Sequence, residues 1–131
     1  MYAGLPITLL HGDAKTGNCA FLPGGRVALF DWATVGPGPA TLDLYYFLAV
    51  DVTRQASARE AIIGRYRRHL EVALGRRIND DLWQRLERVG LAGAARMLLW
   101  SKALARETGT PEAEADWDWW VERLERLDNH L

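Results

Sequence analysis

The chain has few of the residues that build disulfide frameworks or membrane spans. It contains one cysteine, Cys19, in 131 residues, which excludes an intrachain disulfide and a zinc site with several cysteine ligands. The longest uninterrupted apolar run, Leu44 to Val50, is far shorter than the roughly 20 residues that cross a bilayer. No basic stretch followed by an apolar one marks a signal peptide near the start. These absences predict a soluble, cytoplasmic protein with no membrane partner.

An excess of charge of one sign is also lacking. Sixteen Lys and Arg residues stand against seventeen Asp and Glu residues, a net charge of −1, so no overall basic field attracts nucleic acid. Locally, the stretch from Arg54 to Arg77 holds seven arginines and only two glutamates. No aromatic residues alternate with these arginines in the way a nucleic-acid surface requires. The favoured interpretation is a solvated helix face, and an anionic partner is the alternative.

Glycine and proline are concentrated in the first 40 residues, which hold four of the five prolines and seven of the twelve glycines. Short apolar runs between them predict strands at 7–10, 19–22 and 26–32, the last two joined as a hairpin by Pro23-Gly24-Gly25. The run Gly36-Pro37-Gly38-Pro39 predicts a loop, because neither a helix nor a central strand tolerates it.

The remainder of the chain predicts four helices. Their expected bounds are Thr41 as N-cap to about Val50, about Ser57 to Leu74, Asn79 or Asp80 to Arg106, and about Glu112 onward. On the third helix, apolar residues recur at steps of three and four and predict one continuous buried stripe: Leu82, Leu86, Val89, Gly93, Met97, Trp100 and Leu104. The fold class is therefore α+β and mainly α-helical, in a single domain over 1–131 with a catalytic segment at 1–40 and a helical subdomain at 41–131.

The residues that carry chemistry lie in His11-Gly12-Asp13 and in Asn18, which follows five residues after Asp13. This loop comes after a predicted strand, and the predicted hairpin returns Asp31 to the same place. Two carboxylates and an amide oxygen would then converge, and these are the hard ligands that Mg²⁺ takes together with phosphate oxygens. A carboxylate left off the metal could accept a proton from a hydroxyl.

The pattern H-G-D-x-x-x-x-N, followed by a hairpin and Asp31-Trp32, resembles the aminoglycoside phosphotransferase and choline kinase superfamily. The Gly-Pro run and the pair Asp43-Leu44 also match that superfamily. The resemblance covers residues 7–50. It implies the C-terminal lobe of a protein-kinase-like fold, and transfer of the γ-phosphate of ATP or GTP, with Mg²⁺, to a hydroxyl of a small molecule.

The resemblance also implies roles for individual residues. Asp13 would be the catalytic base that orients and deprotonates the acceptor hydroxyl. Asn18 and Asp31 would bind magnesium on the nucleotide phosphates. His11 would brace the loop against the segment of Asp31, and Asp43 would hold the loop backbone.

Structural interpretations stand beside these roles. The motif as a whole could be a surface loop with an incidental Asp13. Asp43 would stabilise a first helical turn by about 0.3–1 kcal/mol in any protein. Lys15 has no set role in the motif, so it is a candidate phosphate contact or a residue that faces water.

In this superfamily a smaller N-terminal lobe supplies a glycine-rich loop over the phosphates and a lysine on a strand. The sequence contains neither, so it predicts a C-terminal lobe alone, with the N-terminal ATP-binding lobe absent. We expect an exposed apolar lobe interface that binds the missing lobe or a second copy. The alternatives to an active enzyme are a non-catalytic kinase-lobe remnant and one half of a split kinase.

The last predicted helix carries a cluster of tryptophans and acids. Asp116, Trp117 and Trp120 are candidates for the acceptor-substrate region, because aromatic faces and carboxylates together hold a cation. The alternative interpretation is that these tryptophans anchor the helix in the core.

Overall fold

The structure is a computed structural model that describes residues 2–50 and 58–128. Its elements are the strands β1 (Ile7–Leu10), β2 (Cys19–Leu22), β3 (Arg26–Leu29) and β4 (Gly36–Pro39), and the helices α1 (Thr41–Val50), α2 (Arg59–Leu74), α3 (Asp80–Arg106) and α4 (Pro111–Asp128). The mainly helical α+β class is confirmed. The expected start of the second helix at Ser57 lies outside the described residues.

The strands form two antiparallel ribbons, β1 with β4 and β2 with β3. The prediction of a loop at residues 36–39 is wrong, because this run is β4, in which Gly38 pairs with Thr8 and Pro37 with Leu9. A two-stranded antiparallel ribbon needs N–H donors from alternate residues only. The prolines alternate with glycines, so both fit on an edge strand without breaking the pairing.

The second ribbon is shorter than expected. Strand β3 ends at Leu29 rather than at Trp32. The reason is Asp31, which adopts a left-handed backbone conformation with a φ of 64° that an extended strand does not tolerate. This turn places Asp31 beyond the end of the ribbon.

The core lies where α1 crosses α3, with α4 packed on the same side. Tyr45, Leu86 and Trp120 are almost completely buried there. The two helices approach closely because α3 has Gly90 at the crossing, where a Cβ atom would lie 2.7 Å from the carbonyl oxygen of Thr41. The Thr41 hydroxyl donates to the carbonyl oxygen of Leu86 at 2.5 Å, and α1 is thereby fixed on α3.

Thr41 was expected to be the N-cap of α1, but the helix begins at Thr41 itself. Two other helix boundaries follow the sequence signals. Gly75 ends α2 in the left-handed conformation with a φ of 64°, as a C-cap glycine does. Asn79 caps α3 by accepting a hydrogen bond from the Leu82 amide at 2.9 Å.

The predicted stripe on α3 is buried or partly buried only in its first half. Met97, Trp100 and Leu104 are exposed by 54%, 67% and 58%, so the prediction of one continuous buried stripe is wrong. The second half of α3 instead buries Ala94 and Lys102. The face that packs is offset from the predicted one: Leu98 and Leu99 are partly buried against the core, and a cation such as Lys102 gives no apolar signal.

The arginine-rich stretch is solvated in part. Within the described residues, Arg65, Arg68, Arg76 and Arg77 are exposed. Arg59 departs from the expectation, because it is 2% exposed. Among the helices of residues 2–50 and 58–128, none has the length and hydropathy of a membrane span.

Candidate active site

The loop that follows β1 is shaped by Gly12. Its φ is 82°, a left-handed conformation that favours glycine. A Cβ atom on Gly12 would lie 2.3 Å from the carbonyl oxygen of Thr34, so no side chain fits. The Thr34 hydroxyl donates to the carbonyl oxygen of His11 at 3.2 Å. The glycine of the motif is therefore required by the close approach of the segment that precedes β4.

Asp43, in the first turn of α1, holds the same loop. Its carboxylate accepts hydrogen bonds from the backbone N–H of His11 at 2.6 Å and of Gly12 at 3.0 Å. Hydrogen bonds to a charged acceptor are about twice as strong as neutral ones. Because α1 is fixed on α3, these two bonds transmit the position of the helical core to the loop.

His11 links the loop to the end of the β2–β3 ribbon. The residue is 3% exposed, and its Nε2 lies 2.9 Å from the carbonyl oxygen of Phe30. Its Nδ1 accepts from the Asp13 amide at 3.3 Å, so the proton resides on Nε2, which donates to Phe30. The imidazole also packs against the Trp32 ring, with centroids 4.5 Å apart.

The carboxylate of Asp13 is held by three side chains. Oδ2 accepts from Lys15 Nζ at 2.5 Å and from Asn18 Nδ2 at 2.9 Å. Oδ1 accepts from the hydroxyl of Tyr46 at 2.7 Å. The hydrogen bond from Lys15, followed by that from Tyr46, lowers the pKa of Asp13 to about 2. Asp13 is therefore ionised at neutral pH.

Sequence reasoning did not single out Tyr46. Burial, together with its bond to the Asp13 carboxylate, raises the pKa of its hydroxyl to about 12. A signal was available, because Tyr46 follows Asp43 by three residues and so shares its face of α1. A residue on that face reaches the same loop as Asp43.

The β2–β3 ribbon brings the segment that contains Asp31 alongside Asn18. Asn18 is 6% exposed, and its backbone oxygen accepts from the Phe30 amide at 3.1 Å, which places Asp31 next along the chain. The Asn18 side-chain nitrogen faces Asp13, so the amide oxygen lies on the other side of the group. Among the described residues, no hydrogen bond or ion pair engages the exposed carboxylate of Asp31.

This donor set fits magnesium. An amide oxygen and an unpaired carboxylate are hard ligands, and Mg²⁺ is usually held by one or two carboxylates together with substrate phosphates and water. Residues 2–50 and 58–128 contain no group of three or more His, Cys, Asp or Glu that could hold a metal alone. A metal at Asn18 and Asp31 would accordingly need phosphate oxygens to complete its coordination.

Comparison with models of protein families identifies the family of the chain. The model of the phosphotransferase enzyme family, APH, matches residues 1–87. The chain belongs to this family. No curated protein and no solved structure gives a significant match. The matched residues of this phosphotransferase-family chain include the Asp13 loop, both ribbons, α1 and α2.

Helix α4 lies outside the part matched by the phosphotransferase family. Asp116 is 4% exposed; it pairs with Arg59 and lies 3.2 Å from Lys102 Nζ. Trp120 is 1% exposed. Trp117 is half-buried, and the Cζ atom of Arg106 lies 5.6 Å from the centroid of the Trp117 ring. These contacts favour the structural interpretation for Asp116 and Trp120, because both residues are almost completely buried.

Proposed function

We propose that the chain is the catalytic part of an ATP-dependent phosphotransferase. In this proposal it moves the γ-phosphate of ATP, or of GTP, to a hydroxyl of a small molecule, within the C-terminal lobe of a protein-kinase-like fold. Family membership supports phosphoryl transfer in general. The observation that carries the finer proposal is the ionised carboxylate of Asp13, which accepts hydrogen bonds from Lys15, Asn18 and Tyr46.

Asp13 is the proposed catalytic residue. The acceptor oxygen forms a bond to the γ-phosphorus while the bond from that phosphorus to the bridging oxygen breaks, and the nucleoside diphosphate leaves with the electron pair. The proton of the acceptor hydroxyl passes to Asp13. A carboxylate whose pKa is about 2 is a weak base, so orientation of the hydroxyl is its main contribution. A weak base is sufficient for a loose transition state, in which the bond between the nucleophile and phosphorus has barely formed.

Asn18 and Asp31 are the proposed magnesium ligands. When bound, the metal supplies positive charge that neutralises the phosphate oxygens. His11 and Asp43 support the site through the loop backbone, as their hydrogen bonds allow. Lys15 has a side chain that is 35% exposed, and its ammonium group is close enough to Asp13 to contact a transferred phosphate.

A partner-dependent form of the same function is the second candidate. The two ribbons expose large apolar side chains that no described helix covers, among them Leu9 at 67%, Phe21 at 83% and Val27 at 52%. A surface of this kind suits an interface. The proposed occupant is an N-terminal ATP-binding lobe, supplied by another chain in a split kinase. Self-association through these ribbons and a non-catalytic remnant are the competing outcomes.

Calorimetric titration with Mg-ATP tests the proposal. We expect binding that requires magnesium and weakens about tenfold or more in Asp31→Asn. Mutating a residue that only hydrogen-bonds to a metal ligand already lowers metal affinity by about 10–100-fold, and loss of a ligand should cost at least as much. Asp118→Asn is the matched control, since it removes an exposed carboxylate on α4 and should bind as the unmodified chain does.

Two results would contradict the proposal in different ways. Equal binding by Asp31→Asn and the unmodified chain would refute the metal assignment. No binding by a chain that circular dichroism shows to be folded would refute nucleotide binding by this polypeptide alone. Binding restored by an added N-terminal kinase lobe would then identify the split form.

A further inference from the structure

Tyr46 occupies a position from which it controls the Asp13 carboxylate. It lies one turn after Asp43 on α1, and its hydroxyl donates to Asp13 Oδ1 at 2.7 Å. The helix that carries it is fixed on the core by the bond from Thr41 to Leu86. Tyr46 is thus a rigid donor, whereas the other donors to Asp13, Lys15 and Asn18, come from the same loop as Asp13 itself.

The two carboxylate oxygens of Asp13 are occupied unequally. Each oxygen of an ionised carboxylate has about two acceptor positions. In the contacts that the structure describes, Oδ2 accepts from Lys15 and Asn18, while Oδ1 accepts from Tyr46. The position that remains for an incoming hydroxyl is therefore on Oδ1, beside the Tyr46 oxygen.

We propose that Tyr46 is a positioning residue that holds the Asp13 side chain in the rotamer from which Oδ1 receives the acceptor hydroxyl. This inference rests on the proposed function of Asp13 as the base. The Tyr46 hydroxyl keeps its own proton, occupies one acceptor position of Oδ1 and directs the other toward the acceptor. The transferred proton goes to Oδ1, as the balance of the phosphoryl transfer requires.

Tyr45 provides a matched control on the same helix. Its hydroxyl donates to Glu87 Oε1 at 2.7 Å, and the residue is completely buried. Tyr45→Phe and Tyr46→Phe each remove one hydroxyl that donates to a carboxylate. Only Tyr46→Phe alters the surroundings of Asp13, so general effects of losing a hydroxyl from α1 appear in both variants.

The first measurement concerns orientation and needs no activity. Three-bond NMR couplings between the backbone and the carboxyl carbon of Asp13 report the χ1 rotamer, which decides whether the carboxylate lies against the Tyr46 hydroxyl. We expect a single rotamer in the unmodified chain and in Tyr45→Phe, and averaging in Tyr46→Phe. A single, unchanged rotamer in Tyr46→Phe would overturn the proposal.

The second measurement is hydrolysis of Mg-ATP, in which water takes the place of the acceptor. We expect Tyr46→Phe to lower kcat about tenfold, the effect of losing a hydrogen bond to a charged group, with the KM for Mg-ATP unchanged. A purely structural role would change KM as well, or would affect Tyr45→Phe equally, and either result would overturn the proposal.

The outcomes separate this inference from the function on which it rests. A folded chain that binds Mg-ATP neither alone nor with an added N-terminal kinase lobe overturns the proposed function, and the role of Tyr46 falls with it. A chain that binds Mg-ATP while Tyr46→Phe retains both its turnover and the Asp13 rotamer overturns the role of Tyr46 alone.

Discussion

Replacing Asp116 by asparagine should destabilise the fold more than most surface changes. Asp116 lies between Arg59 and Lys102, and all three side chains are at least nine-tenths buried. Among the described residues, the Nε of Arg59 has no hydrogen-bond partner, so this guanidinium depends on Asp116. Removing one partner of a buried ion pair costs about 3–5 kcal/mol, because the remaining charge stays buried and unpaired.

We expect Asp116→Asn to lie at the lower end, at about 3 kcal/mol, because Lys102 can lose its proton and also donates to the carbonyl oxygen of Ala49. For a domain of this size, about 3 kcal/mol lowers Tm by about 10 °C. Urea denaturation followed by circular dichroism measures the loss. Asp118→Asn, two residues away and exposed, should change stability by less than about 0.5 kcal/mol.

The stability that Asp116→Asn loses, called the deficit below, should also depend on pH. Burial lowers the pKa of Lys102, while Asp116 pulls it upward, so Asp116→Asn lowers this pKa further. Between that value and the ordinary lysine pKa of about 10.4, the unfolded chain binds more protons than the folded one. Stability of the variant then rises with pH, and the deficit should shrink from pH 7 toward pH 10. A loss equal to that of Asp118→Asn at every pH from 7 to 10 would refute a buried ionic cluster.

Two further predictions concern the Asp13 loop. Gly12→Ala should cost about 2–3 kcal/mol in urea denaturation, because a Cβ at a φ of 82° meets the carbonyl of Thr34. Gly24→Ala, with a φ of 79° and open space around the added atom, should cost only about 1 kcal/mol; equal losses would show that the Thr34 contact is unimportant. The Tyr46 ring should titrate near pH 12 by NMR, and Asp13→Asn should bring its pKa closer to 10, since the charge that opposes ionisation is gone; an unchanged value would rule out the hydrogen bond.

The helical part of the fold could be predicted wherever the signal was local. Gly75 and Asn79 mark helix ends through their own backbone and side-chain hydrogen bonds, so their types suffice. The buried stripe of α3 could not be predicted, since Ala94 and Lys102 face the core while Trp100 faces solvent. Which side of an amphipathic helix is covered depends on the partner helix. The spacing of apolar residues along one helix gives no information about where that partner packs.

Similar reasoning applies to Gly36-Pro37-Gly38-Pro39 and to Arg59. Proline and glycine predict a loop from their intrinsic preferences, yet the pairing with β1 leaves the proline nitrogens where no donor is needed. An arginine on a helix is expected to be solvated. Arg59 is instead enclosed by Asp116 and by the Trp119 ring, whose centroid lies 4.6 Å from the Cζ atom of Arg59. Both errors come from contacts between residues distant in sequence.

The sequence by itself determined the family, the mainly helical class and the types and spacing of the candidate site residues, because His11-Gly12-Asp13, Asn18 and Asp31 lie in one short segment. Only the tertiary structure decided how that segment is held. The α1–α3 crossing places the Asp43 carboxylate under the loop and the Tyr46 hydroxyl on Asp13, and these are long-range contacts that depend on helix packing.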